Sequence, residues 1–352
     1  MGAWASRAPL ATLERMTRWY LAILGCITLI ASVPRTTAAE ITPAVIEIRP
    51  STLDIERLLG EPVETASTLD AIHNRLLLGV QSRLLDFDHR FLEPSETALP
   101  VPVSPFRIGI DLTGISRDGS LALETAADFD ISLNLPNLEQ SLDVFITTDA
   151  LSESTLEQAT ESLRAGLRYD PGRWLNLEVG AKLAAPPVGF VALRTGQAFV
   201  QGDWRIEPFL KMFAETDEGF GVASSVLIDR WRERHLLRSS LSLRWLHDTG
   251  DTGWSYQFVS AHANAVISPD RQLSQVRNRD LGDAAGFRLE AGGRSATGAD
   301  FYEAGLFWKK PLHGRWLFLN IEPLVRFDRE RQWSADPGIR IGLDALFWDL
   351  AR

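Results

Sequence analysis

From Phe106 to Phe347 apolar residues occupy every second position, in about fourteen runs of roughly ten to fifteen residues each. A period of two belongs to extended strands, whose successive side chains point to opposite faces. Phe106, Ile108, Ile110 and Leu112 alternate with Arg107, Gly109, Asp111 and Thr113, and Leu175, Leu177, Val179 and Ala181 alternate with Asn176, Glu178, Gly180 and Lys182. At the far end Ile339, Ile341, Leu343, Ala345 and Phe347 enclose Arg340, Gly342 and Asp344. The runs lie near 106–115, 121–135, 139–147, 161–170, 173–184, 189–201, 204–214, 218–229, 235–247, 253–267, 271–285, 299–310, 315–327 and 337–348, and read as consecutive hairpins.

A soluble antiparallel sheet also alternates, so a sandwich or propeller closed over a dry core is the competing architecture. Three details favour a membrane barrel. The runs exceed the about five or six residues at which soluble strands peak and suit the about nine to eleven of a spanning strand. The second face carries charges of both signs, among them Arg164, Arg168, Glu178, Lys182, Arg238, Glu303 and Lys309. Aromatic residues gather at run ends: Trp174, Trp204, Trp231, Trp245, Trp254, Trp308, Trp316, Trp333 and Trp348. In hydrocarbon every backbone N–H and C=O must pair within the protein, and strands achieve that only by closure. The expected fold is all-β: an antiparallel up-and-down transmembrane β-barrel over 105–352, of about fourteen strands. Its apolar face would meet lipid and its charged face the interior. An even count puts both barrel termini on the periplasmic side. The joints fit, since Asp170-Pro171-Gly172, Gly202-Asp203 and Ser268-Pro269-Asp270 are tight while Thr148 to Glu161, Glu215 to Gly219, His247 to Gly253 and Glu330 to Asp336 are longer or more acidic.

Upstream the period changes. Ile72, Leu76, Val80, Leu84, Phe87 and Phe91 recur every three or four residues, which predicts one amphipathic helix over 67–92 with Ser67 or Thr68 as N-cap. Glu93-Pro94 ends it, and Pro100, Pro102 and Pro105 stiffen the link to the first strand. The helix belongs to a periplasmic segment, 40–104, and its apolar stripe needs a surface: the barrel mouth, the lumen, the leaflet or a partner. Before it, MTRWYLAILGCITLIASVPRTTAAE combines Arg18, an apolar run from Trp19 to Val33 and the small residues Thr37-Ala38-Ala39, the pattern of a secretory leader over 1–39. The apolar run, at about 15 residues, falls short of the roughly 20 of a spanning helix. Lipidation at Cys26 is disfavoured because apolar residues continue past it. Export to the bacterial outer membrane follows.

Composition narrows the partners. With 45% hydrophobic and 23% charged residues the chain is not disordered. Its single cysteine excludes an internal disulfide framework and a cysteine zinc site. The net charge is −10, and loss of Arg7, Arg15, Arg18, Arg35 and Glu14 with the leader makes it three units more negative, so nucleic acid is not expected to bind. No phosphate loop, zinc-protease pair or nucleophile elbow is present and the six histidines are scattered, so no metal and no cofactor are expected.

The tail RWLFLNIEPLVRFDRERQWSADPGIRIGLDALFW, with the earlier FDISLNLPNLEQSLDVFI and RLLDFDHRF, resembles an uncharacterised, porin-like group of predicted outer-membrane β-barrel proteins of proteobacteria. The likeness covers nearly all of the chain after the leader. It implies a fold and a location and no activity. GLDALF also resembles the closing strand read by the barrel-assembly machinery, which that likeness implies as a partner during biogenesis, although Trp348 to Arg352 follow where such a signal usually ends on its aromatic residue.

The inward charges are the candidate site. Arg107, Arg164, Arg168, Arg205, Arg244, Arg326 and Arg340 are expected to line the lumen opposite Asp128, Asp130, Glu178, Glu207, Glu322 and Asp344. Fourteen strands enclose more space than the about eight whose side chains fill the interior, which permits a passive channel or porin for small solutes. A ladder of opposite charges closing the lumen, in a structural or envelope-assembly barrel, fits the same residues. A third reading, a membrane-embedded lipid hydrolase, places Ser260, His262 and Asn264 at i, i+2 and i+4 on one strand face. A bulge in that strand explains the same polar patch without chemistry, so no catalytic residue is assigned.

Overall fold

The computed structural model describes residues 44–47, 67–88, 104–134, 142–148, 163–172, 175–268 and 281–348, all within one compact unit, Thr42–Arg352. The expected leader lies outside the described residues. In chain order the strands are β1 (Ala44–Glu47), β2 (Phe106–Arg117), β3 (Ser120–Asn134), β4 (Leu142–Thr148), β5 (Leu163–Gly172), β6 (Leu175–Lys182), β7 (Val188–Gly196) and β8 (Phe199–Gln201). They continue with β9 (Trp204–Glu215), β10 (Gly219–Arg232), β11 (His235–Leu246), β12 (Thr252–Ser268), β13 (Leu281–Arg294), β14 (Gly298–His313), β15 (Leu317–Asp328) and β16 (Ala335–Phe347). Among the described residues one α-helix, α1, spans Thr68–Asp88.

Strands β2 to β7 and β9 to β16 each pair antiparallel with the next, and β16 pairs back onto β2, so fourteen strands form a closed ring. Closure removes the unpaired edges that a lone sheet would present. Following the registers once round the ring returns to β2 displaced by roughly 20 residues, a stagger larger than the strand number, which tilts the strands steeply and widens the barrel. Two short strands lie outside the ring: β8 pairs with the start of β9, and β1 runs parallel to the end of β12.

The two faces of the ring separate as the alternation requires. Ile110, Leu112, Leu121, Leu123, Val179, Leu241, Leu289, Leu306 and Leu343 are exposed on the outside, and Trp204, Trp308 and Trp333 are exposed with them. The intervening positions face the interior; they mix small and apolar residues with buried charges such as Arg164, Glu178, Lys211, Asp229, Glu303 and Lys309. Trp231, expected in the aromatic girdle, instead packs against a buried cluster of Leu236, Val259, Ala261, Leu281 and Phe307 on the inner face.

Three expectations need correction. The run placed at 271–285 is a strand at Leu281–Arg294. Its second half alternates Gly286, Arg288, Glu290 and Gly292 with Phe287, Leu289 and Ala291, and its glycines dilute the apolar signal. The run 189–201 divides into β7 and β8. Short turns are not confined to one rim: only Asp118 and Gly119 join β2 to β3 at the rim opposite the barrel termini, and residues 269–280, which include the expected turn at Pro269-Asp270, lie outside the described residues.

Helix α1 forms as expected, but with a different buried face. Ser67 is the N-cap: its hydroxyl accepts from the Asp70 N–H (3.1 Å) and donates to the Asp70 carboxylate (2.7 Å). Leu77, Leu78 and Leu84 are buried, together with the polar Asp70, His73, Asn74 and Gln81. Ile72 and Leu76 of the expected stripe are 51% and 48% exposed. Phe91 and the side chain of Phe87 lie outside the described residues. The polar face turns inward because the rim supplies partners. Asp70 accepts from Trp316 Nε1–H (3.1 Å) and lies 3.0 Å from His313 Nε2, His73 Nε2–H donates to the Leu346 carbonyl (3.0 Å), and Gln81 donates to the Ser104 carbonyl (2.8 Å). Leu77 and Leu78 pack with Phe106 and Phe347, and Ile108, Ile131 and Ala345 flank them. These share a face with the exposed Ile110 and Leu343, so α1 covers the outside of the ring at the terminal rim. Burial of each leucine contributes about 1.5–3 kcal/mol.

Candidate functional site

Alternation places every second residue on the inner face, and where those residues are charged, neighbouring strands bring them side by side. On β5 to β7 the Glu178 carboxylate lies between Arg168 Nε (2.8 Å) and Arg194 Nη1 (2.6 Å). Next to it, Glu215 receives Arg164 Nη2 (3.2 Å) and Lys182 Nζ (2.6 Å), with Arg244 at 3.9 Å. Both carboxylate side chains are at most 2% exposed. Across the ring the order inverts. Arg288 on β13 contacts Glu290 (2.9 Å), Glu303 and Glu322 (2.9 Å), and Arg340 on β16 contacts Glu303 and Glu322, each at 3.1 Å. Asp344 joins Arg107 (3.1 Å) to Lys309 (2.7 Å). Phenylalanines pack against the cations: Arg168 over Phe145, Arg194 over Phe209, Lys309 over Phe318 and Arg326 over Phe301, at 4.9 to 5.6 Å.

Every pair named here joins strands at most three places apart round the ring, whereas opposite walls are seven places apart. The pairs therefore run along the wall. Glu218, in the turn after β9 and outside the strands, contacts Arg244 and is pushed above the ordinary carboxylate range by its burial, although Arg244 and Lys182 pull it down.

All thirteen expected residues lie on this inner face, but their partners are not all those expected. Arg107 meets Asp344, Arg168 meets Glu178 and Arg340 meets Glu322. Arg205 pairs with Glu207 on its own strand (2.8 Å) and Arg326 with Asp328 (2.8 Å), while Arg164 and Arg244 turn to Glu215 and Glu218. Asp130 stands opposite Arg107 in register, and Asp128 accepts a hydrogen bond from Thr148. Sequence reasoning missed Arg194, Glu215, Arg288 and Glu290. Arg194 follows Val188, Phe190 and Ala192 on the inner face, so both faces of β7 read as apolar, and Arg288 and Glu290 fell beyond the misplaced run. Strict parity carried through β7, to the last residue of β9 and through β13 would have found them.

Ser260, His262 and Asn264 share an outward face near the terminal rim. The His262 ring meets His235, with centroids 4.9 Å apart, and Asn264 lies 3.4 Å from both Arg234 and Asp283. Among the described residues no hydrogen bond joins Ser260 to His262.

No family model matches the chain, and no curated protein matches it. Solved structures do. OprB of Pseudomonas putida is similar at a TM-score of 0.42 and 8% identity, over 76% of this chain and 96% of that one. OccK2 (OpdF) of Pseudomonas aeruginosa is similar at 0.41 and 12%, over 70% and 98%, and the outer membrane channel DcaP of Acinetobacter baumannii at 0.39 and 9%, over 73% and 100%.

Proposed function

We propose that this chain is an outer-membrane barrel that passes small solutes through a charged lumen. The observation that carries the reading is the separation of faces on one closed ring: apolar residues such as Leu306 and Leu123 outside, and inside a wall whose named ion pairs run laterally between nearby strands. The lining residues are the thirteen inward charges together with Lys182, Arg194, Glu215, Arg288, Glu303 and Lys309. The leader over 1–39 directs export, and β16, ending in Gly342 to Phe347, is the strand read by the assembly machinery. Purified protein that shows heat-modifiable migration should give discrete conductance steps in planar bilayers. Folded protein that gives none overturns the channel.

A sealed scaffold is the second reading, favoured by the near-complete burial of Arg164, Lys211 and Glu178 and of Leu236, Val259 and Leu281 on the inner face. It expects the same folded protein to be electrically silent.

A further inference from the structure

Helix α1 has an apolar arc that the barrel leaves uncovered. Leu69, Ile72 and Leu76 are 44%, 51% and 48% exposed, and they follow one another at helical spacing beside the buried face. Arg75 and Arg83 are also exposed and enter no ion pair among the described residues. At 100° per residue Arg83 falls between Ile72 and Leu76 in projection, and Arg75 lies on their solvent side.

The direction of the helix follows from its contacts. Asp70 reaches the turn between β14 and β15, His73 the end of β16, and Leu77 and Leu78 the starts of β2 and the nearby Ile131 of β3. From Asp70 to Leu78 the helix advances about 12 Å, and three strand spacings come to about 14 Å. The helix therefore runs round the rim, across the strand ends. On a barrel standing in a bilayer, that course lies in the plane of the interface, on the same outer side of the ring as the exposed Ile110, Leu112 and Leu343.

We propose that α1 is an interfacial phospholipid-binding helix, with Leu69, Ile72 and Leu76 against acyl chains of the leaflet at the terminal rim and Arg75 and Arg83 on headgroup phosphates. Long arginine stems lie along apolar surface and deliver their charge to the interface, which accounts for two cations beside an apolar arc. A second copy docked on this arc would bury both arginines against apolar side chains. The proposal rests on the membrane-spanning reading of the barrel.

The test uses the full chain with Cys26→Ser, carrying one fluorescent probe at Ile72→Cys, at Leu306→Cys on the barrel belt or at the exposed Ala71→Cys, which projects beyond Arg75 from the apolar arc. In vesicles whose acyl chains are brominated, the Ile72 and Leu306 probes should lose at least half of their emission while the Ala71 probe responds mainly to aqueous iodide. Quenching at Leu306 but not at Ile72 overturns the helix proposal and leaves the barrel reading intact; no quenching at Leu306 removes the membrane reading and the proposal with it. Protection of Ile72 from both quenchers shows a protein covering the arc and also overturns it. In an Arg75→Gln, Arg83→Gln background the Ile72 response should fall by about half; an unchanged response withdraws the phosphate contact.

Discussion

On β5 to β9 a carboxylate sits between cations: Glu178 between Arg168 and Arg194, and Glu215 between Arg164 and Lys182. On β13 to β16 a guanidinium sits between carboxylates: Arg288 between Glu290, Glu303 and Glu322, with Arg340 sharing the last two. The two walls use the same side-chain types with the sign of the hub reversed. In a poorly screened interior, removing a hub leaves like charges facing one another, whereas removing a spoke leaves the hub with another partner. The walls should thus respond alike to hub loss in stability and oppositely in ion preference.

The largest effect is expected for Arg288→Met, which leaves Glu290, Glu303 and Glu322 with Arg340 as their main cation and Arg326 acting on Glu303. It should lower the unfolding free energy of the refolded barrel by about 3–5 kcal/mol, read from the urea midpoint. An equal loss for the spoke variant Glu290→Gln breaks the distinction between hub and spoke. Glu178→Gln should cost somewhat less, about 3 kcal/mol, because only two direct ion pairs are lost, and Arg194→Gln less again because Arg168 still neutralises Glu178. A double-mutant cycle for Arg340 and Glu303 should give a coupling of about 1 kcal/mol or more if the wall acts as a network.

Conduction tests the sign of the walls. Glu303→Gln with Glu322→Gln should shift the cation-to-anion permeability ratio about twofold toward anions, and Arg168→Gln with Lys182→Gln should shift it toward cations. Shifts in one direction for both pairs show that the walls do not face a common path.

The smallest effect is expected at Asp70, a buried acid held mainly by neutral donors. Ser67 first, then Trp316 and His313, hold its carboxyl below the ordinary range, against the opposing effect of its burial. A lowered pKa means that ionised Asp70 favours the docked helix above the usual carboxylate value of about 4, and that this contribution is lost as pH falls through the folded value. Docking of α1, followed by the Ile72 probe, should therefore be flat from neutral pH to about pH 5 and weaken only in stronger acid. Asp70→Asn should weaken docking by about 1 kcal/mol and abolish that acid dependence.

Much of this was legible along the chain. Leu175 to Lys182 reads as a strand with one oily and one charged face because strand parity is strictly local, and the pairing of β16 with β2 was anticipated from the need to satisfy every backbone group. Where parity was blurred, as by Gly286 and Gly292 in β13 or by Val188, Phe190 and Ala192 in β7, the inner charges went unread.

The sequence by itself determined that the strands alternate, that their charged positions share a face and that a helix precedes them, because each property depends on residues a few positions apart. Only the tertiary structure decided which cation meets which carboxylate, since a register shift of two keeps every side chain on its face and changes its neighbour. It also decided that α1 turns Asp70, His73 and Gln81 inward and leaves Ile72 and Leu76 outside. Hydrophobicity ranks the faces of an isolated helix, but the Leu346 and Ser104 carbonyls and the Trp316 N–H at the rim exist as partners only once the ring has closed.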